Sequence, residues 1–312
     1  MKIEVAPYKG WSRALHISNG EVELVITLEV GPRILRYAFV GGPNLLKEIP
    51  AQMGTSGEPG WAMRGGHRLW ASPEDPAYTY FADNHAAVFG TDDGGAWVRS
   101  AVDPKSGLSY AMRVSLDASG SGVRIEHTIA NAGSHTFKLA PWALTVFTTG
   151  GTGIIPLPPY APHPGDDGRS PADFAPQMSL ILWPYFRFND KRFTFGENTI
   201  RIAQDPHAAG PAKIGARLPV TWAAYHLNGT LFCKRFTFDA DATYPDGGCN
   251  FESYTDAGIL ELETLSPLQT LAPGQVAQHT ETWSLHKDVT LPANDADLVT
   301  TLAAIVSATP EP

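Results

Sequence analysis

The sequence predicts an all-β protein, a sandwich of antiparallel sheets with one short helix at its C-terminal end. Short runs of alternating polarity recur along the chain at regular spacing, the period-2 signature of half-buried strands. Glycine (30) and proline (26) punctuate those runs, and only 18% of the 312 residues are charged, a balance that suits many strands and turns rather than long exposed helices. There is no strand–helix–strand alternation, which argues against a parallel α/β sheet. The apolar share of 43% is enough for a sizeable core. With no internal repeat or low-complexity segment to divide it, the chain reads as one β domain over residues 1–287 followed by a helical tail over 288–312.

Residues 14–17, 22–28 and 34–39 are apolar-rich and separated by Asn19-Gly20 and Gly31-Pro32, an opening antiparallel meander. Over 41–66 the pattern dissolves into a long loop of the kind that is usually functional or disordered. Strands are expected at 96–102 and Leu108–Leu116, with turns at 92–95 and 103–107, and then at Val123–Asn131 and Phe137–Phe147. Within the last of these, Pro141-Trp142 implies a bulge or an edge position. Residues 150–176 read as a surface excursion, followed by strands at 180–183, 199–202, 219–227 and 229–238. Asn228-Gly229 is the strongest hairpin signal in the chain.

Residues 251–254 and 259–265 form a further hairpin around Asp256-Ala257-Gly258, where a tight turn calls for glycine at positive φ. Residues two apart in a strand share a face, so Glu261 and Glu263 point one way while Leu260 and Leu262 point the other. Pro273-Gly274 turns the chain into a run at 276–285. From Asn294 or Asp295 to Val306 a polar cap precedes Leu298, Leu302 and Ile305 at helical spacing.

Several function classes are disfavoured. A net charge of −9 with no basic cluster argues against nucleic acid and anionic membrane as partners. No apolar run is long enough to span a bilayer and the N-terminus has no signal-like core, so a soluble cytoplasmic protein is expected. Cys233 and Cys249 lack metal-type spacing and read as reduced thiols, with a single disulfide as the alternative. There is no phosphate-binding glycine loop, no histidine or cysteine pair with metal spacing and no Gly-x-Ser-x-Gly elbow, so no metal or cofactor is expected. No pattern specifies an oligomeric state.

The densest cluster of versatile side chains is Gly65-Gly66-His67-Arg68-Leu69-Trp70-Ala71-Ser72-Pro73-Glu74. Its glycines allow close backbone approach to a ligand, Arg68 can fork onto oxygens, Trp70 offers a flat face, and His67 and Glu74 can move protons. An Arg–Glu pair beside a buried Trp is equally a common structural knot. The remaining carboxylates (Glu252, Glu261, Glu263), histidines (His127, His279) and aromatics (Trp142, Tyr254, Trp283) on expected strands make up a mixture that suits sugars, which offer hydroxyls to charged groups and ring faces to tryptophan. Paired carboxylates on a strand more often mark a solvated face.

The order of motifs resembles the galactose-mutarotase-like superfamily, and most closely a bacterial branch of it. The resemblance rests on Asn19-Gly20 with Gly31-Pro32-Arg33-Ile34, on Gly65 to Trp70, on Ala140-Pro141-Trp142-Ala143-Leu144-Thr145, and on Asn250 to Glu263 leading into Leu271-Ala272-Pro273-Gly274. It implies a large antiparallel supersandwich binding a sugar or oligosaccharide in a concave groove. Aldose 1-epimerases of that superfamily use a glutamate as base on the anomeric hydroxyl and a histidine as acid on the ring oxygen. By the resemblance, Glu263 best fits the glutamate, with Glu261 as the neighbour it is most easily confused with, and His67 looks like the histidine that contacts the sugar from the first half. Arg68, Trp70, Glu74, Trp142, Lys213, Glu252, Tyr254 and Glu261 are the candidate sugar contacts; Lys213, near a turn at Gly215, could supply charge for an acidic sugar, although a lone lysine in a loop is usually solvated. The family's mid-chain Asn-His-x-Tyr-Phe-Asn motif is replaced here by Pro141 to Thr145, which contains no histidine. Three readings follow: an epimerase-like enzyme, a carbohydrate-binding or regulatory protein without the acid, and a lyase-like or hydrolase-associated module that a groove open at both ends would favour. All require Glu263 and His67 to meet on one concave surface.

Overall fold

The strictest alternation in the chain, LSYAMRVSL over Leu108–Leu116 and VRIEHTIAN over Val123–Asn131, buries alternate side chains and pairs the two strands antiparallel with Tyr110 opposite Ile129. The same logic repeats throughout the computed structural model, which describes residues 1–92, 94–163, 170 and 175–312. Two antiparallel sheets result. The first has the order β1 (Lys2–Tyr8), β2 (Trp11–Ser18), β3 (Val22–Thr27), β4 (Arg33–Phe39), β5 (Gly66–Ser72), β10 (Phe137–Phe147), β19 (Leu260–Leu265), β18 (Phe251–Thr255), β15 (Ala212–Arg217) and β12 (Ser179–Leu182), with β20 (Gln269–Leu271) beside the start of β10. The second runs β13 (Phe193–Phe195), β14 (Thr199–Ala203), β11 (Thr152–Pro156), β16 (Trp222–Leu227), β17 (Thr230–Phe236), β21 (Val276–His286), β9 (Val123–Asn131), β8 (Leu108–Leu116), β7 (Gly95–Ser100) and β6 (Ala87–Asp92).

One large apolar core lies between the sheets and includes Leu24, Tyr37, Leu69, Phe147, Phe232 and Trp283. The opposite parity of β11, β16 and β17 exposes Ile154, Ala224, Leu231 and Cys233 on the other face of the second sheet, where helix α1 (Asp295–Val306) covers them with Leu298, Leu302 and Val306. Asn294 caps that helix, its Oδ1 accepting from the backbone N–H of Ala296 (2.8 Å) and Asp297 (3.2 Å). Asn294→Ala is expected to cost about 1 kcal/mol, read as a lower urea midpoint; an unchanged midpoint would show that tertiary packing alone holds the helix. No helix among the described residues is long and apolar enough to cross a membrane.

Several local expectations change. Thr152–Pro156 is a strand within the segment read as an excursion; residues 164–169 and 171–174 of that segment, and Asp93 of the 92–95 turn, lie outside the described residues. The Asp256 turn is closed by its side chain and not by a positive-φ glycine: Asp256 Oδ1 accepts from Gly258 N (2.7 Å) and Ile259 N (3.1 Å). Asn228 (φ 50°) and Gly229 (φ 78°) do adopt the left-handed pair of a hairpin turn. Pro141 sits in a central strand. Its missing N–H falls where the partner of β10 changes from β20, ending at the Leu139–Gln269 pair, to β19, beginning at Trp142–Leu265. Gly215 belongs to strand β15; a Cβ there would lie 2.4 Å from Cys249 Sγ, so close packing and not a turn requires the glycine. Cys233 and Cys249 are free and buried.

Candidate functional site

Directly opposed residues of antiparallel strands share a face. One row across the first sheet therefore runs Arg33, Arg68, Leu144, Glu263, Glu252 and Gly215. Its neighbours on the same face include Trp70 and Trp142, which oppose each other, and Lys213 and Tyr254, which do likewise. This face carries a cavity of about 230 Å³ bounded by Arg68, Trp70, Glu74, Trp142, Lys213, Tyr254 and Glu261. Trp61, Met63, Tyr80, Trp183 and Tyr185 complete its walls. They come from loops without periodicity, so strand patterning did not reveal them; the only available signal was aromatics beside glycine and proline in a long loop.

The aromatic wall is fastened from behind. Asp83 Oδ2 accepts from the indole N–H of both Trp61 and Trp70 at 2.8 Å, and Oδ1 accepts from Arg33 at 2.5 Å. Trp70 meets Trp61, Tyr80 and Trp142 edge-on at 5.5, 5.0 and 5.4 Å. The Arg68 guanidinium lies 4.2 Å from the Trp70 ring centre and donates to Glu261 Oε1 at 3.1 Å. The glycines before Arg68 do not approach a ligand. A Cβ on Gly65 would lie 2.1 Å from Lys47 O and one on Gly66 2.3 Å from Ile34 O, so both admit neighbouring backbone.

Lys213 is buried in strand β15, not solvated in a loop, and holds the carboxylates together. Its Nζ is 2.6 Å from Glu252 Oε2 and 3.0 Å from Glu263 Oε2, between the Trp142 and Trp183 rings at 4.6 and 4.7 Å. Burial opposes its charge, but Glu263 and Glu252 outweigh that and hold Lys213 above the ordinary lysine range. Burial pushes the Glu252 carboxyl well above the usual carboxylate range against the pull of Lys213, because one ammonium balances only one of two adjacent carboxylates. Glu263 also accepts from Trp142 Nε1 at 2.9 Å and is fully buried beneath the cavity, whereas Glu261 reaches its surface. Burial raises the Glu261 carboxyl to about 7 against the pull of Arg68.

His67 does not share this surface. It lies one residue before Arg68, so its side chain points to the opposite face, opposite Thr145, and is fully buried between the sheets. Glu263 and His67 therefore do not converge: they stand on opposite faces of the first sheet, which removes the shared surface that the sequence reading required.

No protein-family model matches this chain, and no curated protein matches it. Solved structures do. A galactose mutarotase-like protein from Lactobacillus casei shares 12% identity with a TM-score of 0.57, covering 88% of this chain and 100% of its own. A galactose mutarotase-like protein from Clostridium acetobutylicum (10%, TM-score 0.55) covers 92% and 99%, and a protein from Synechocystis (13%, TM-score 0.56) covers 92% and 99%. The fold is galactose mutarotase-like.

Between the two sheets of this mutarotase-like fold, His67 belongs to a closed polar network. His127 Nδ1 donates to the His279 carbonyl (3.1 Å), which leaves His127 Nε2 to accept from His67 Nε2 (2.7 Å) and His67 Nδ1 to accept from the Thr145 hydroxyl (2.9 Å). Beside it Glu281 accepts from Lys234 Nζ (2.8 Å), Trp283 Nε1 (2.8 Å) and the Thr264 hydroxyl, which in turn accepts from His279 Nε2 (2.6 Å). Ligand atoms of His67, His127 and Glu281 lie within 4.8 Å of one another, a set able to hold a cation, but the Lys234 ammonium already supplies positive charge there and every imidazole nitrogen of His67 and His127 is paired.

The histidines of this network are expected to add an acid-sensitive part to the stability of the mutarotase-like sandwich. Burial holds His67 well below its ordinary value, His127 at about 4 and His279 at about 3. The unfolded chain protonates these rings near pH 6.5, before the native state does, so at these rings the unfolded state binds more protons and the stability they contribute falls as pH drops from about 6.5 toward 4. Glu252 and Glu261, held above the ordinary carboxylate range, act with the opposite sign in the same window, so the histidine part is read by difference: the urea midpoint of wild type is expected to lose more between about pH 6.5 and 4 than that of His127→Gln, and parallel profiles would contradict the neutral assignment.

Proposed function

We propose that this chain binds a sugar on the concave face of the first sheet. The supporting observation is the constellation of one cavity: the Trp61, Trp70, Trp142 and Trp183 faces around the Arg68–Glu261 pair and Lys213. Sugar rings present apolar C–H faces to such indoles and hydroxyls to such charged groups. The fold shared with galactose mutarotase-like proteins adds weight to this reading. The sequence-based site required Glu263 and His67 to meet and falls with their separation; this reading rests instead on the aromatic central cavity, whose described walls include no imidazole, and binding needs no proton transfer. The net charge of −9 disfavours nucleic acid and anionic membrane as partners, and the free thiols fit a reducing, cytoplasmic setting. A thermal-shift panel of monosaccharides tests the proposal: a ligand at about 100 times its Kd adds about 2.7 kcal/mol to the native state. At least one aldose is expected to raise the melting temperature of wild type and not of Trp183→Ala, and no response to any sugar would refute the proposal.

The Glu261 carboxyl favours a second reading, aldose 1-epimerase-like acid–base chemistry. A group raised to about 7 is partly protonated at neutral pH, and a protonated carboxyl offers one donor and one acceptor oxygen. Glu261 then gives its proton to the ring oxygen while its other oxygen takes the proton of the anomeric hydroxyl. The ring C–O bond breaks, the open aldehyde rotates, and reversal of both transfers closes either anomer. In this scheme Glu263, Glu252 and Lys213 are positioning residues beneath Glu261, and His67 has no catalytic part.

A further inference from the structure

We infer that the groove takes an oligosaccharide spanning several sugar units, an inference that rests on the sugar-binding reading above and extends it. The central cavity of about 230 Å³ is smaller than ordinary small-molecule sites of about 300–1,000 Å³. Two larger cavities adjoin it. One of about 520 Å³ shares the walls Trp61 and Tyr80, and one of about 490 Å³ shares Tyr185. They lie at opposite ends of the strand row. Trp61 and Tyr80 stand against Trp70 of β5, whereas the other flank is closed by Pro211, immediately before β15.

Between those ends the floor crosses β5, β10, β19, β18 and β15, four inter-strand steps of about 4.8 Å, or about 19 Å. That length exceeds one six-membered ring several times over. Each junction also carries an aromatic face left open: Trp61 and Tyr185 are both 41% exposed. A large apolar ring at a polar cavity's rim is a stacking platform, and platforms at both junctions match successive rings of one chain. The flanks supply hydroxyl partners, Lys105 on one side, Arg187 and His207 on the other. A site for one ring would need neither flank.

Isothermal titration of the full chain with glucose and galactose, and with the malto-, cello- and β-1,4-galacto-oligosaccharides of two to four units, tests this. In at least one series affinity is expected to climb about tenfold or more from one unit to three, as a further stacked and hydrogen-bonded ring would add. Arg187→Ala and Lys105→Ala, each confined to one flank, are expected to remove much of that gain. Binding of a monosaccharide with no increase for longer chains would overturn the oligosaccharide inference and leave the sugar-binding reading standing. Absence of binding by every saccharide, long or short, would overturn both.

Discussion

Lys213→Met is expected to destabilise the protein by about 3–5 kcal/mol, the cost of leaving buried charge without its counter-ion. Lys213 Nζ is the ammonium facing both Glu252 and Glu263, and neither carboxylate side chain has any exposed surface. Without it, the two carboxyls face each other in a low-dielectric pocket and shed the resulting cost by taking up protons or by admitting water. The loss should therefore shrink at mildly acidic pH, where protonation is easy. Urea denaturation of wild type and Lys213→Met at neutral and mildly acidic pH provides the test. A Lys213→Met change below about 1 kcal/mol would mean that the carboxyls are already neutral in the native state.

Glu261→Gln is expected to lower any anomer-interconversion rate by about 10²–10⁴-fold, the usual contribution of a positioned proton-transfer group. Glutamine keeps the shape and can still accept from Arg68, so the fold and the aromatic cavity persist while the exchangeable carboxyl proton is lost. Because the protonated form works, the wild-type rate should fall as pH rises through about 7, the value to which burial raises this group. Proton NMR of a freshly dissolved aldose, recorded for wild type, Glu261→Gln and Glu263→Gln, separates the two carboxylates. If all three match the buffer background, the acid–base reading is lost and the groove only binds. If Glu263→Gln alone is inactive, the buried carboxylate has a route to the ligand that the arrangement beneath Trp142 does not provide.

Much of the architecture was legible from residue order. Leu108–Leu116 and Val123–Asn131 alternate over many residues, and Asn228-Gly229 can hardly be anything but a hairpin turn. Strands without that pattern are of two kinds: Lys2–Tyr8 is exposed at the edge of the first sheet, and others pack on both sides. Thr152–Pro156 and Ala212–Arg217 bury most of their residues, so they show no alternation, and Gly215 imitates a turn although it only makes room for Cys249. Lys213 reads locally as a loop lysine because nothing near it in the sequence tells a solvated ammonium from one that two distant glutamates neutralise.

From sequence alone one could determine that the chain is an antiparallel β protein with a terminal helix, and that Glu261 and Glu263 share a face, since both follow from periods of two and of 3.6 residues. Tertiary structure alone decided which face is the groove. His67 and Arg68 are adjacent, and the strand period sends one inward to a hydrogen-bonded network and the other outward to the cavity. Local pattern fixes such parity only relative to neighbouring residues. Its absolute sense depends on which side the second sheet covers, a choice made by contacts between residues far apart in the chain, such as His67 with His127 and Lys213 with Glu263.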